Sequence, residues 1–136
     1  MAILEFKNYI VNNMSYIKNK NFDRQDNEIN LKPIISADFN RKDDTIDVKL
    51  TVLIGSLEDK KMPFKIECEV VGEFKYNADK NDTKISEEAI IKNNTVAILY
   101  PYIRQLISSL TQQSNEYPSY ILPTINVAKV LKEKDK

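Results

Sequence analysis

Apolar and polar residues alternate along three stretches in the first half of the chain. Every second residue is apolar from Ile46 to Ile54, and the same alternation runs from Phe64 to Tyr76. A period of two places apolar side chains on one face of a β-strand, so both stretches are predicted strands. A third strand begins near Leu31 and continues to Phe39. Because Pro33 cannot donate to a ladder, this strand is predicted to lie at an edge or to pair only after Pro33.

The N-terminal stretch from Ile3 to Ile17 is rich in β-branched and aromatic residues. Its apolar positions change from even to odd and back, which predicts a long strand with a bulge near residues 9–11. Gly72 predicts a second bulge or bend. Short charged turns join the later strands, so the chain favours a four-stranded antiparallel meander with one face buried.

A helical period follows the strands. Apolar residues at 96, 99, 100, 103, 106, 107 and 110 recur every three or four positions and predict a helix from Asn94 to Gln113, kinked at Pro101. Ser86 is a predicted N-cap of a separate short helix that ends at Ile91. Residues 115–124 are irregular and apolar enough to wrap over another element, and a last short helix covers 127–131. The fold class is therefore α+β, in one domain spanning residues 1–136.

The surface of this arrangement offers two candidate contact regions. Beside the main helix, apolar residues line a possible trench or complete the core: Leu31, Ile35, Phe39, Tyr120, Ile121, Leu122, Ile125, Val127, Val130 and Leu131. The opposite helix face is polar but uncharged and suits contact with a second copy or with solvent: Tyr102, Gln105, Ser109 and Gln112.

Composition argues against several classes of function. Twenty basic and twenty acidic residues cancel, so no overall field favours nucleic acid or an anionic membrane. No apolar run reaches the length of about 18 residues needed for a membrane span, and the N-terminus lacks the order of a signal peptide, which predicts a cytoplasmic protein. The single cysteine, Cys68, is predicted to be a buried core residue.

Catalysis is also disfavoured. The chain contains no histidine, which removes the commonest general base and metal ligand. Its two glycines stand alone, so no phosphate-cradling loop is present. The paired carboxylates fall in turns or helix caps. We therefore expect no enzyme activity, no cofactor and no metal.

An ordered set of short motifs resembles SecB-type protein-export chaperones. Residues 99–104, Leu-Tyr-Pro-Tyr-Ile-Arg, resemble the family's aromatic-Pro-Tyr-x-Arg helix, and residues 122–127, Leu-Pro-Thr-Ile-Asn-Val, resemble its Leu-x-Pro-x-Asn-Phe segment. Upstream, Cys68-Glu69-Val70 is similar to a Cys-Glu-Val in the last strand, and Met14-Ser15-Tyr16 lies where the family has Ile-Ser-Phe. The resemblance covers most of the chain.

The resemblance implies a fold and a function. It implies a four-stranded sheet covered by a long and a short helix, with the trench open as a groove for unfolded polypeptide and Tyr117 added to its lining. It also implies a homotetramer, a dimer of dimers joined through the long helices. The expected function is an ATP-independent holdase for non-native polypeptide, with a possible role in protein export.

The match departs from the family at its motor-docking surface. SecB-type chaperones contact the SecA translocation motor through acidic residues on the exposed sheet face. Here Asn13 and Ile17 are uncharged at the N-terminal positions, whereas Glu67 and Glu69 remain as candidate docking residues. A dedicated binding module for one partner, such as an antitoxin, is therefore the alternative to a role in bulk export. A small enzyme would require a pocket with buried carboxylates.

Overall fold

The computed structural model describes residues 3–23, 29–81 and 84–134; in its last helix it describes the side chains at 127 and 129–131. The elements are strands β1 (Leu4–Lys18), β2 (Ile34–Lys42), β3 (Thr45–Gly55) and β4 (Phe64–Tyr76), then helices α1 (Glu87–Ser114) and α2 (Val127–Lys134). A single 3-10 turn, Ala78–Lys80, lies between β4 and α1. The predicted α+β class is confirmed.

The strands form one antiparallel sheet in the order β1-β4-β3-β2. Strands β2, β3 and β4 follow one another as the predicted meander, whereas β1 departs from it by pairing with β4 and not with β2. The two edges of the sheet are therefore β1 and β2. The prediction that the strand after Pro33 pairs late and lies at an edge is confirmed, since pairing begins at Ile34.

The core lies between one face of the sheet and α1. Alternate residues of β3 and β4 are buried there, as their period of two predicts. From α1 the buried set includes Val96, Leu99 and Ile103. Cys68 is also fully buried, and burial raises the pKa of its thiol to about 11, so the neutral form dominates near pH 7. The prediction of an inert core cysteine is confirmed.

Two local predictions about the sheet need correction. Strand β1 carries two register shifts, between Phe6 and Asn8 and between Val11 and Asn13, on either side of the stretch where one bulge was expected. Gly72 introduces no bulge, since its neighbours on β3 and β1 stay in register. Instead, a Cβ at Gly72 would lie 2.6 Å from Leu99 Cδ2, so the glycine makes room for α1.

The two predicted helices near residues 86–113 are one helix. Ser86 caps it as expected, its hydroxyl accepting a hydrogen bond from the Ala89 amide at 3.2 Å. The expected break at Lys92 and Asn93 is wrong because both side chains are exposed to solvent while Ile91 and Thr95 continue the buried side. The helix also continues through Pro101 and ends at Asn115, which adopts a left-handed conformation with φ 57°. Among the described residues, neither helix has the length and apolarity of a membrane span.

Candidate functional site

The segment between the two helices, residues 115–126, lies along α1 and is called here the crossover. Hydrogen bonds to α1 hold it. Tyr120 donates its amide to Thr111 Oγ1 at 2.7 Å, and the hydroxyls of Ser108 and Ser119 lie 2.8 Å apart. Tyr100 donates its hydroxyl to the Pro123 carbonyl at 2.6 Å. The crossover is thus a fixed wrap, as its apolar, proline-containing sequence predicted.

The start of the crossover is anchored to the sheet as well. The Tyr117 ring packs edge-on against Phe64, with centroids 5.8 Å apart, and lies 6.4 Å from the Phe22 ring. Lys18 of β1 forms an ion pair with Glu116 at 2.7 Å. Because Phe64 belongs to the buried face of β4, these contacts tie the crossover to the core.

The end of the crossover leads into α2. The Asn126 side chain accepts a hydrogen bond from the Lys129 amide at 3.1 Å and so satisfies one free donor of the first turn. Val127 is buried, and α2 lies against both α1 and β2. The last helix therefore approaches the β2 edge of the sheet.

The eleven predicted peptide-binding residues fall into three groups by exposure. Ile35, Leu122 and Val127 are buried within the protein's own core. Ile121 is 58% exposed. The remaining seven are half-buried: Leu31, Phe39, Tyr117, Tyr120, Ile125, Val130 and Leu131. The floor of the predicted trench is therefore filled by this chain's side chains, and partly exposed apolar residues of the crossover, α2 and the β2 region lie around it. We call the seven half-buried residues and Ile121 the crossover surface.

Two tyrosines give this region its polar groups. Burial raises the pKa of Tyr100 and of Tyr120 above the ordinary value. Both phenols are therefore neutral at physiological pH, and Tyr100 remains a donor to the Pro123 carbonyl. The region offers apolar contacts and hydrogen bonds, with no charge from these side chains.

Sequence reasoning missed the free edge of β2 as part of this region. The Asp44 carbonyl accepts from the Tyr76 amide, so even-numbered residues of β3 direct their backbone groups toward β4 and odd-numbered ones toward β2. The register pairs odd residues of β3 with even residues of β2. Ala37 and Phe39 therefore direct their amides and carbonyls away from the sheet, and no backbone hydrogen bond reaches those groups within the described ranges.

The predicted docking residues Glu67 and Glu69 lie on the outer face of the sheet, opposite α1. Glu69 is held in place by Asn12 Nδ2 at 3.1 Å and Thr51 Oγ1 at 3.4 Å. Asn13 stands directly across from Glu69 in the β1–β4 register. The carboxylate pair is thus separated from the crossover surface by the thickness of the sheet, and its docking role stays a prediction.

The predicted oligomer face lies on the outward side of α1. Gln105 and Gln112 are exposed, and Ser109 accepts a hydrogen bond from Gln113 at 2.9 Å. Tyr102 is 37% exposed and packs on the Tyr9 ring of β1, with centroids 4.4 Å apart. The face therefore continues across Tyr102 onto the β1 edge of the sheet.

The described part of the chain offers no candidate metal centre, since no three acidic, cysteine or histidine residues cluster there. The positioned groups are instead apolar side chains, neutral hydroxyls and an open strand edge. Such an arrangement is suited to binding polypeptide.

Comparison with known proteins fits this geometry. A family model described as preprotein translocase subunit SecB matches residues 9–136. The chain belongs to the SecB family. An uncharacterised protein of Methanocaldococcus jannaschii, MJ0357, is 35% identical to it over 129 residues, which is 92% of this chain and 80% of that protein.

Solved structures share the SecB-like fold at low sequence identity. The SecB-like chaperone Rv1957 of Mycobacterium tuberculosis, in complex with a ChAD peptide from the HigA1 antitoxin, matches with a TM-score of 0.69 and 13% identity over 90% of both chains. A Streptococcus agalactiae protein of unknown function matches with a TM-score of 0.51 and 12% identity, over 88% of this chain and 96% of that one.

Proposed function

We propose that this SecB-family protein is an ATP-independent holdase that binds non-native polypeptide on the crossover surface. The observation that carries the proposal is the partly exposed apolar surface formed around the crossover, which hydrogen bonds to α1 and aromatic contacts to β4 hold in place. A surface fixed in advance loses little conformational entropy when it binds. The family match and the peptide-bound Mycobacterium tuberculosis relative support this proposal.

The crossover surface supplies side-chain affinity. Phe39, Tyr120 and Ile125 each keep part of an apolar side chain in solvent, and Ile121 projects outward from the crossover. Burying roughly 500 Å² of a client's apolar surface at about 25 cal/mol per Å² contributes about 12 kcal/mol, against an association cost of roughly 4–15 kcal/mol. One site of this kind binds weakly, and several sites on one assembly bind a long unfolded chain more tightly.

The outward-facing backbone of Ala37 and Phe39 on β2 supplies contacts that do not depend on client sequence. An extended client segment next to Ala37 and Phe39 pairs its backbone with theirs, which is the geometry of strand addition. Main-chain hydrogen bonds are the same for every sequence, while alternate side chains contact the apolar surface. This combination suits a protein that holds many unrelated unfolded chains.

The proposal is tested by suppression of aggregation. A chemically unfolded client is diluted into buffer with the protein at stoichiometric ratios, and light scattering is followed with and without ATP. We expect Ile121→Asp to weaken suppression several-fold because it places a charge on the crossover surface. Ile85→Asp is the matched control, since Ile85 is 57% exposed, close to the 58% of Ile121, but precedes α1. Failure of the unmodified protein to suppress aggregation would overturn the proposal.

A dedicated module for one partner is the second candidate function. It is favoured by the relative from Mycobacterium tuberculosis, whose structure holds an antitoxin peptide. Titration against several unrelated unfolded proteins separates the two candidates. A general holdase binds most of them with similar affinity, whereas a dedicated module ignores most. A role in export would require docking through Glu67 and Glu69, and Glu67→Lys with Glu69→Lys should then abolish binding to a SecA motor while leaving client binding unchanged.

A further inference from the structure

The outer face of the sheet carries a concave site, which adjoins the crossover surface only at Leu31, between the lining residues Asn30 and Lys32. It has a volume of about 670 Å³, within the range of roughly 300–1,000 Å³ common for ligand sites. Its apolar lining comes from Ile34, Leu53 and Met62. Ile34 and Leu53 face each other across β2 and β3, and the residues that flank Leu53 are buried on the α1 side. The cavity therefore opens on the side of the sheet that α1 does not cover.

One wall of this cavity is the loop between β3 and β4, and a buried asparagine fixes that loop. Asn19 is 3% exposed, and its side-chain amide donates to the carbonyls of Asp59 and Met62 at 2.9 and 2.8 Å. Ser56 Oγ accepts from the amides of Glu58 and Asp59. The wall is therefore preformed, and a ligand does not have to order it.

The charges around the cavity favour an anion. Lys32 and Lys61 both line it, and neither ammonium pairs with a carboxylate in the ranges that the structure describes. Asp59 is the acidic residue of the lining, and its Oδ1 already accepts the Lys61 amide at 2.9 Å. On the β4 side, Glu67 stands directly across from Leu53 on the outer face and repels a carboxylate there. An acidic ligand is therefore favoured on the side of the cavity that Lys32 and Lys61 line, away from β4.

We propose that this cavity is a docking site for an acidic linear peptide segment of a partner protein, with one aliphatic side chain between carboxylates. The aliphatic side chain contacts Ile34, Leu53 and Met62, and the flanking carboxylates pair with Lys32 and Lys61. Polar side chains such as Asn30 and Ser56 also line the cavity and suit a peptide backbone better than a long acyl chain. Apart from Leu31, the crossover surface lies on the opposite side of the sheet from this cavity, so both can be occupied at once.

The probe is a fluorescein-labelled peptide, acetyl-Glu-Glu-Leu-Glu-Glu-amide, titrated against the full chain by fluorescence anisotropy at low ionic strength. We expect saturable binding that weakens as salt screens the lysines. Lys32→Glu with Lys61→Glu should weaken it at least tenfold. Lys80→Glu with Lys84→Glu, which changes the net charge equally at a distant turn, should change it less than twofold. Replacing the peptide's leucine with serine should also weaken binding.

Methyl chemical shifts identify where the peptide binds. Shifts centred on Ile34, Leu53 and Met62 support the proposal. Three results would overturn it: no saturable binding, equal binding of acetyl-Lys-Lys-Leu-Lys-Lys-amide, or shifts confined to Ile121 and Ile125. The last result would show that the peptide is merely a client of the crossover surface. The aggregation assay with the unmodified protein tests the proposed holdase function separately, so the two failures are distinguishable.

Discussion

At the scale of single residues, Gly72 sets the distance between α1 and the sheet. A Cβ at this position would lie 2.6 and 2.9 Å from the two terminal carbons of Leu99 and 2.9 Å from Phe74 Cε1, and both side chains are fully buried. We expect Gly72→Ala to lower the free energy of unfolding by about 1–3 kcal/mol through overpacking, measured by urea denaturation. In a background of Leu99→Ala the two Leu99 contacts disappear while the Phe74 contact remains, so the cost should fall there but not vanish. An effect of Gly72→Ala below about 0.5 kcal/mol in the parent chain would contradict this account.

Tyr100 stabilises the crossover through the proton of its hydroxyl group. Its hydroxyl donates to the Pro123 carbonyl at 2.6 Å, and burial raises its pKa above the ordinary value of 10.0. We expect Tyr100→Phe to destabilise the protein by about 1 kcal/mol at pH 7 and to loosen the crossover. Because the folded-state pKa is raised, the phenol's contribution is fully present below the unfolded-state pKa and is lost as the pH rises through the folded-state value.

The stability difference between the parent chain and Tyr100→Phe should therefore shrink above about pH 10. Denaturation curves of both proteins at pH 7, 9 and 10.5 measure it, and groups common to both proteins cancel in the difference. A difference that stays constant across this range would show that the hydroxyl does not contribute through its proton.

At the scale of elements, the sequence predicted those strands and helices whose apolar residues recur with a regular period. Strands β3 and β4 have one buried face and a strict period of two, so the sequence identifies them directly. The polar residues around Asn93 could not show whether α1 is continuous. Polar side chains are compatible with a helix when they face solvent, and whether they do so depends on the tertiary structure. Gly72 was misread as a bulge because its role depends on Leu99, which is distant in sequence.

The candidate site was predictable only in part for the same reason. The apolar residues of the crossover are visible in the sequence, but the burial of Leu122 and the exposure of Ile121 depend on how the segment turns on α1. Pro33 predicted that β2 lies at an edge, but the outward direction of the Ala37 and Phe39 backbone groups depends on the β2–β3 register, which no local pattern specifies. The anchoring role of Asn19 has no local sequence signal because its partners are main-chain carbonyls of a distant loop.

Pro101 destabilises the helix that contains it. It lies inside α1, is exposed, and cannot donate to the carbonyl of Ala97. Pro101→Ala restores one helical hydrogen bond and removes a cost of up to about 3 kcal/mol that proline has in a helix interior. It also makes the unfolded chain more flexible, which lowers the stability of the fold by about 0.4–1 kcal/mol. We expect a net gain of about 2 kcal/mol in thermal or urea denaturation. As the control, Ala97→Pro on the same exposed side should lower stability. If Pro101→Ala leaves stability unchanged, the proline ring does not destabilise this helix.

At the scale of the whole molecule, contacts through the outward side of α1 determine whether several crossover surfaces can bind one client together. Gln105 and Gln112 are exposed and uncharged, and Tyr102 extends the same face toward β1. We propose that this face joins copies of the chain through their α1 helices, as the family resemblance implies for a dimer of dimers. In a symmetric contact the same residues of both copies come close, so like charges placed there repel.

Light scattering of the purified protein measures the assembly, and we expect a mass several times the 15.8 kDa of one chain. Gln105→Glu with Gln112→Glu should reduce that mass at micromolar concentration without unfolding the chain, because both side chains are exposed in the single molecule. Ser36→Glu with Asn40→Glu adds the same charge to exposed positions of β2 and should leave the mass unchanged. If the smaller assembly also needs more protein per client to suppress aggregation, the strength of holding comes from several crossover surfaces acting on one chain. If the parent protein is monomeric and fully active, a single crossover surface instead supplies all of the affinity for the client.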